Sequence, residues 1–219
     1  MSDIINNDEI AAVILAGGLA RRMGGGDKAQ KMLAGQSLLD RILIRIKPQV
    51  GPLVLNANGD PKRFFHTGLP VIEDVVEGYP GPLAGVLTGL DWVAKNHPKC
   101  EWMLSVPCDA PFIPLDLVQR LKIAMEKDGH PLACAQSHGR THPVVGLWSL
   151  ALKEDLRQAV VDEELRKVDR WTARHGISHA EFDDVLIAGK LIDPFFNANK
   201  PHDLDEVEEL LARNDKGAG

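Results

Sequence analysis

Between positions 15 and 28 the chain reads Leu15-Ala16-Gly17-Gly18-Leu19-Ala20-Arg21-Arg22-Met23-Gly24, then runs on through Asp27 and Lys28. Glycines let backbone N–H groups turn toward a phosphate with no Cβ in the way. Arg22 and Lys28 bring a forked and a mobile positive charge to the same stretch. The loop follows directly on an apolar run, residues 10–16. That position matters more than the glycines, because open α/β sheets bind ligands beyond the carboxyl ends of their strands. Asp109 has the same kind of position: it closes an apolar run, residues 102–106, within Val106-Pro107-Cys108-Asp109-Ala110-Pro111. The flanking prolines restrict the backbone there. A carboxylate at that edge is a hard oxygen ligand of the sort Mg2+ takes, alongside phosphate oxygens and water. Together the loop and Asp109 point to a phosphate-handling site with a divalent cation.

Two familiar phosphate loops do not fit. The pattern G-x-x-x-x-G-K-[ST] is missing, and the G-x-G-x-x-A match from Gly24 to Ala29 begins well after the strand has ended. The competing reading of the loop is a surface turn with solvated Arg and Lys, and that of Asp109 is a cap on a helix near Pro114. Asn197 and Asn199 bracket one residue and would project to one side of an extended segment. Ahead of Pro201 they serve equally well as turn and cap residues. His138 and His142 have a spacing that a helix would bring to one metal, but Gly139 and Pro143 argue against a helix and no third ligand sits at a zinc spacing. Cys108 lacks an evident base partner and reads as a small buried residue. The charged stretch 162–174 reads as a solvated helix face.

Such side chains need a scaffold, and composition bounds it. The 219 residues are 44% hydrophobic and 26% charged, enough for a sizeable core, and we read them as one domain with residues 1–9 and 214–219 as flexible tails. A net charge of −6 gives no support to nucleic acid as a partner. The 3 cysteines form no C-x-x-C pair, which fits a reducing cytoplasm better than a disulfide framework. The acidic N-terminus lacks the blocks of a secretory signal, and no run approaches the roughly 20 apolar residues of a membrane helix. We therefore expect a cytoplasmic protein without a membrane partner.

Short runs rich in Val, Ile and Leu alternate with amphipathic stretches, the pattern of a mostly parallel sheet covered by helices on both faces. The fold class is α/β. Strands are expected at 10–16, 52–55, 69–72, 102–106, 132–135 and 144–148, and helices at 38–46 behind a Ser37 cap, 62–66, 83–95, 115–125 and 203–212. The stretch 150–174 is helical in pattern, 182–187 is ambiguous, and an antiparallel edge strand fits somewhere in 151–190.

The glycine-rich loop resembles the signature of the molybdenum cofactor guanylyltransferases. The similarity continues through Leu55-Asn56-Ala57-Asn58, Val71-Ile72-Glu73-Asp74, Tyr79-Pro80-Gly81-Pro82-Leu83-Ala84-Gly85, Pro107-Cys108-Asp109, Thr141-His142-Pro143 and Phe196-Asn197-Ala198-Asn199-Lys200-Pro201. The ordered series covers most of the chain and is more specific than any member of it. It implies a Rossmann-like nucleotidyltransferase fold with one antiparallel strand, Mg-GTP as donor and molybdopterin as acceptor of GMP, with pyrophosphate released. By the same resemblance Leu15, Ala16, Gly17, Gly18, Lys28, Asn56, Asp74, Gly81, Pro82 and Asp109 belong to the GTP site. Asp74 would lie against the nucleoside. Arg22, Lys28 and Asp109 would carry catalysis, Asp109 would hold Mg2+, and Asn197 and Asn199 would border the acceptor. Other molybdenum cofactor biosynthesis proteins and apo-molybdoenzymes or their chaperones are the implied protein partners. The alternatives are CMP transfer to the same pterin, nucleotide transfer to a sugar phosphate, and a non-catalytic pterin carrier.

Overall fold

A computed structural model describes residues 7–17, 27–76, 78, 81–187, 189–197 and 208. In chain order the strands are β1 (Ile10–Leu15), β2 (Met32–Leu33), β3 (Gln36–Ser37), β4 (Leu53–Asn56), β5 (Val71–Ile72), β6 (Trp102–Pro107), β7 (Leu132–Ser137), β8 (Arg140–Ser149), β9 (Ser178–Glu181), β10 (Val185–Ile187) and β11 (Lys190–Ile192). The helices are α1 (Leu38–Ile46), α2 (Pro82–Asn96), α3 (Leu117–Asp128), α4 (Lys153–Val161) and α5 (Val168–Thr172). The main sheet has 7 strands in the order β5-β4-β1-β6-β8-β7-β9.

β1 runs parallel between β4 and β6, and β5 is parallel to β4. Its side chains alternate between two cores. Ile10, Ala12 and Ile14 pack on one face with Leu39, Ile42 and Leu121, whereas Ala11 and Val13 pack on the other with Leu83, Leu87 and Trp171. The run is apolar throughout because α1 and α3 cover one face and α2, α4 and α5 the other. Ser37 begins α1 as expected, its Oγ accepting from the Asp40 N–H at 3.0 Å. Every apolar position of that helix on the expected stripe is buried.

The antiparallel strand is β8, and it lies inside the sheet between β6 and β7, not at an edge. The edge strand within 151–190 is β9, which pairs parallel with β7. The hairpin turn sets β8 antiparallel to β7, since His138 and Gly139 have φ of 49° and 71°, the pair of positive angles that a tight two-residue turn needs to reverse a strand onto its neighbour; pairing with β6 on the other side puts β8 inside the sheet. β8 is bulged, since its register with β7 jumps from Cys134↔Gly146 to Ala135↔His142. The bulge takes up Pro143, which has no N–H to give to an interior ladder.

The stretch 162–174 is not a wholly solvated face. α5 buries Val168, Trp171 and Thr172, and Trp171 stacks on Trp148 at 5.8 Å while donating its indole N–H to Asp155 at 2.8 Å. The ambiguous segment 182–187 ends in β10, which forms a small antiparallel hairpin with β11. The expected helix 203–212 lies outside the described residues except for Glu208, which is helical. Asn7–Glu9, within the stretch read as a tail, form a 3-10 turn, and Glu9 O accepts from Glu101 N at 3.0 Å. Among the described residues no helix is long and apolar enough to cross a membrane.

α2 approaches the sheet through two glycines. A Cβ on Gly89 would sit 2.9 Å from Val13 Cβ and 2.8 Å from Met103 Sδ. Gly89→Ala gains about 1 kcal/mol of helix propensity, but overpacking of this kind costs about 1–3 kcal/mol. We expect a net loss of stability in denaturant unfolding. Unchanged stability would mean that β1 yields freely at Val13.

A candidate nucleotide site at the strand ends

The parallel strands β1, β4 and β6 end at the same edge, so the chain leaves the sheet there at Leu15, Asn56 and Pro107. Pairing continues past the strands. Ala16 N donates to Asn56 O at 2.8 Å and Cys108 N to Leu15 O at 3.1 Å, which holds the start of the glycine-rich loop beside the segment carrying Asp109. Above these ends opens a cleft of about 480 Å³.

At the floor of the cleft Lys28 pairs with Asp109, with side chains only 13% and 16% exposed. The ammonium takes Oδ2. Asp109 Oδ1 is buried and has no hydrogen-bond partner among the described residues. A carboxylate oxygen in that condition is costly unless a donor or a cation arrives. Lys28 opens a short 3-10 turn capped by Asp27, whose Oδ1 accepts from Ala29 N at 3.1 Å and whose Oδ2 pairs with Arg63 Nη1 at 3.0 Å. Arg63 also donates to Asn58 O. One guanidinium thus ties the Lys28 turn to the chain leaving β4.

At the other end of the cleft the Asp74 carboxylate is held on both oxygens. Asn56 Nδ2 donates to Oδ1 at 2.9 Å, Asn58 Nδ2 donates to Oδ2 at 2.8 Å, and Asp74 N donates back to Asn58 Oδ1 at 2.9 Å. Each carboxylate oxygen keeps further acceptor capacity. The amino end of α2 closes this side, with Gly81 as a cap that offers no side-chain hydrogen bond and Pro82 at the first position. Its first-turn N–H groups have no partner within the helix and face an acceptor well. Gly85 lets the helix approach, because a Cβ there would lie 2.6 Å from Asn56 Oδ1.

Of the residues singled out in the sequence, Leu15, Gly17, Lys28, Asn56, Asp74, Gly81, Pro82 and Asp109 line this cleft. Ala16 is buried just behind it. Asn197 is exposed and does not line it. Gly18, Arg22 and Asn199 lie outside the described residues. Sequence reasoning missed Asn58, Arg63 and Val144. Asn58 was within reach, since it stands two positions after Asn56 at the end of a strand. No local signal marks Arg63, whose charge partner Asp27 is distant in sequence.

Cys108 also lines the cleft. Burial first, and then the adjacent Asp109 carboxylate, push its thiol up to about 12. It is therefore protonated, and not a nucleophile, at any physiological pH. Iodoacetamide at pH 8 should leave Cys108 unmodified in the folded protein and modify it after unfolding, as read by peptide mass spectrometry. Rapid labelling of the native chain would contradict the burial.

The family described as MobA-like NTP transferase domain matches residues 12–180. Over 94% of this chain and 95% of its own length, the molybdenum cofactor guanylyltransferase of Rhodopseudomonas palustris (strain BisB5) is 53% identical. That of Bradyrhizobium sp. (strain ORS 278) is 52% identical over 95% and 96%. Among solved structures, the molybdopterin-guanine dinucleotide biosynthesis protein A of Archaeoglobus fulgidus has a TM-score of 0.71 at 22% identity, covering 93% of this chain and 99% of that one. A CMP:2-keto-3-deoxy-manno-octonic acid synthetase complexed with CTP has a TM-score of 0.69 at 14% identity, covering 94% and 99%. At these identities the two structures speak for the fold alone.

Proposed function

Since the chain belongs to the MobA-like NTP transferase family, we propose a division of labour within its cleft for the reaction its relatives are named for. It is a nucleotidyltransferase that moves GMP from GTP in molybdenum cofactor biosynthesis. The acceptor is the terminal phosphate of molybdopterin. One phosphate oxygen of the acceptor attacks the α-phosphorus of GTP in line, the bond from that phosphorus to the bridging oxygen breaks, and pyrophosphate leaves. The product is molybdopterin guanine dinucleotide.

The observation that carries this reading is the buried Oδ1 of Asp109, without a hydrogen-bond partner among the described residues, beside Lys28 at the cleft floor. A hard, desolvated carboxylate oxygen next to the phosphate loop suits Mg2+. Asp109 would hold the ion, which when bound supplies positive charge to the triphosphate oxygens. Lys28 offers its ammonium to the same phosphates, and the backbone of Leu15, Ala16, Gly17 and Gly18 cradles them. Arg22 adds a second cation to this set. Guanine lies toward Asn56 and Asp74, beside the amino end of α2 at Gly81 and Pro82. Because the nucleophile is already an anionic phosphate oxygen, the protein's task is alignment and relief of repulsion rather than proton removal.

The order of the sheet supports an acceptor side. With the base over β4 and β5 and the reacting phosphate over Lys28 and Asp109, the acceptor must approach across β6 from the flank of β8, where Val144 lines the cleft. By the family resemblance Asn197 and Asn199 would border the acceptor, Asn199 lying outside the described residues. The reaction takes place in the cytoplasm, with other molybdenum cofactor proteins supplying the acceptor and apo-molybdoenzymes or their chaperones receiving the product.

Pyrophosphate release tests the whole reading. Release is expected with Mg-GTP and molybdopterin together, and at most weakly when CTP replaces GTP. Efficient release with CTP would favour the cytidylyl alternative, and release with a sugar phosphate replacing the pterin the sugar-phosphate one. Pterin binding without release would favour the carrier.

A further inference from the structure

The motif Thr141-His142-Pro143 takes no part in the nucleotide site, yet His142 belongs to a chain of half-buried polar contacts around the buried Ser137. Ser137, 1% exposed, stands at its centre. Its hydroxyl donates to Asp193 Oδ1 at 3.0 Å, and its oxygen lies 2.7 Å from His142 Nε2. A hydroxyl has one proton, so with that proton on Asp193 the serine oxygen receives the Nε2 proton of His142, which fixes the tautomer. Burial keeps the imidazole below its ordinary pKa despite the pull of Asp193. The same Asp193 oxygen accepts from Phe195 N at 2.8 Å, and Asp193 O accepts from Phe196 N at 3.0 Å. Phe195 then packs on the His142 ring at 4.7 Å and edge-on against Phe182 at 5.2 Å.

These contacts bolt the turn that begins at Asp193 onto the β7–β8 hairpin. On the opposite side of His142 begins the bulge of β8, where Ser105 Oγ, itself accepting from Trp148 Nε1 at 2.7 Å, donates to Val144 O at 2.7 Å. His142 therefore stands between two fixed points. One is Val144 in the wall of the nucleotide cleft; the other is the turn that hands the chain on to Asn197. Apolar side chains would fill this space without desolvating three polar groups, so what the network adds is a single geometry.

We propose that His142, Ser137 and Asp193 are positioning residues for the acceptor. They hold the segment leading to Asn197 at a set place relative to Val144, so that the acceptor phosphate arrives in line with the α-phosphorus. This rests on the assignment of the β8 flank and Asn197 to the acceptor.

The test varies molybdopterin and Mg-GTP separately in steady-state kinetics of the full chain. Ser137→Ala, Asp193→Ala and His142→Phe, which keeps the ring contact with Phe195, should each raise the molybdopterin KM about tenfold, the loss of one well-made hydrogen bond. The KM for GTP should stay within about twofold in each. Asp193→Asn keeps an acceptor oxygen for Ser137 and Phe195 and should restore a near-normal molybdopterin KM, which a carboxylate needed for its charge would not allow. Asn197→Ala should raise the molybdopterin KM on its own. Equal rises for both substrates in His142→Phe and Ser137→Ala, or none in either while Asn197→Ala still raises it, would overturn the relay and leave the acceptor assignment standing. A normal molybdopterin KM in Asn197→Ala would overturn the acceptor assignment itself, and the relay with it.

Discussion

Asp109→Ala should lose at least about a hundredfold in kcat, the scale seen when a preorganised charge-stabilising group is removed from a reacting centre, while the fold survives. The argument has two halves. For catalysis, the carboxylate is the hard oxygen at the cleft floor, with one oxygen on Lys28 and the other buried without a partner among the described residues. Its work is done on charge that is present only when nucleotide and metal are bound. For stability, removal of a desolvated and half-satisfied carboxylate relieves as well as costs, since Lys28 loses its counter-ion but its long stem can carry the ammonium to water. We expect a change of no more than about 1 kcal/mol, or roughly 2–4 °C in Tm for a chain of this size. Asp109→Asn sharpens the test. It keeps an acceptor for Lys28 and nearly the same volume but loses the charge, so activity should remain low and shift to higher Mg2+ concentration. Near-normal turnover with unchanged Mg2+ dependence in either variant would remove Asp109 from the centre.

The parts of the fold that were legible in the sequence are those with a local cause. β1 is apolar at every position because it is buried on both faces, and α1 shows its stripe because Leu39, Ile42, Leu43 and Ile46 face one core while Leu38 packs beside it against Leu33 and Phe112. Lys28 and Asp109 could be paired in advance because each follows a strand that ends at the same sheet edge. Strand order was not legible, because periodicity reports which faces are covered and says nothing about neighbours. β8 reverses onto β7 through the positive φ angles of His138 and Gly139, a turn signal that was present in the sequence but was weighed only against a helix, and its pairing with β6, which no local signal marks, places it inside the sheet. Trp171 was hidden in a charged run whose average concealed one buried face. Arg63 was invisible for a different reason: it meets Asp27 only once the sheet has brought the ends of β1 and β4 together.

Asp74→Asn should cut kcat/KM for GTP by about ten- to a hundredfold, the range for a hydrogen bond to a charged acceptor, and the cause can be separated from simple disruption. Guanine presents two donors on one edge, N1–H and the 2-amino group, which a carboxylate with spare acceptor capacity can receive together. Asp74 is already gripped by Asn56 Nδ2 and Asn58 Nδ2, one on each oxygen. Those amides aim the carboxylate and still leave acceptor capacity for the base. In Asp74→Asn one of the two oxygens becomes an NH2 group, which must then face a donor, from Asn56 or Asn58 on one side and from guanine on the other. Two effects are thus superimposed: loss of an acceptor for the base and local loosening around Asn58. ITP lacks the 2-amino group and distinguishes them. If the carboxylate reads that group, the native enzyme already handles ITP poorly, and the variant loses much less with ITP than with GTP. If the loss is only loosening, both nucleotides fall by the same factor, and Asn58→Ala, which removes the grip without touching the carboxylate, reproduces it. Both nucleotides would be measured with all three proteins at saturating acceptor and Mg2+. Equal losses for GTP and ITP in Asp74→Asn would move that carboxylate off the 2-amino group and assign it to holding the chain beyond β5 in place, with base choice then falling to Asn56 and the amino end of α2.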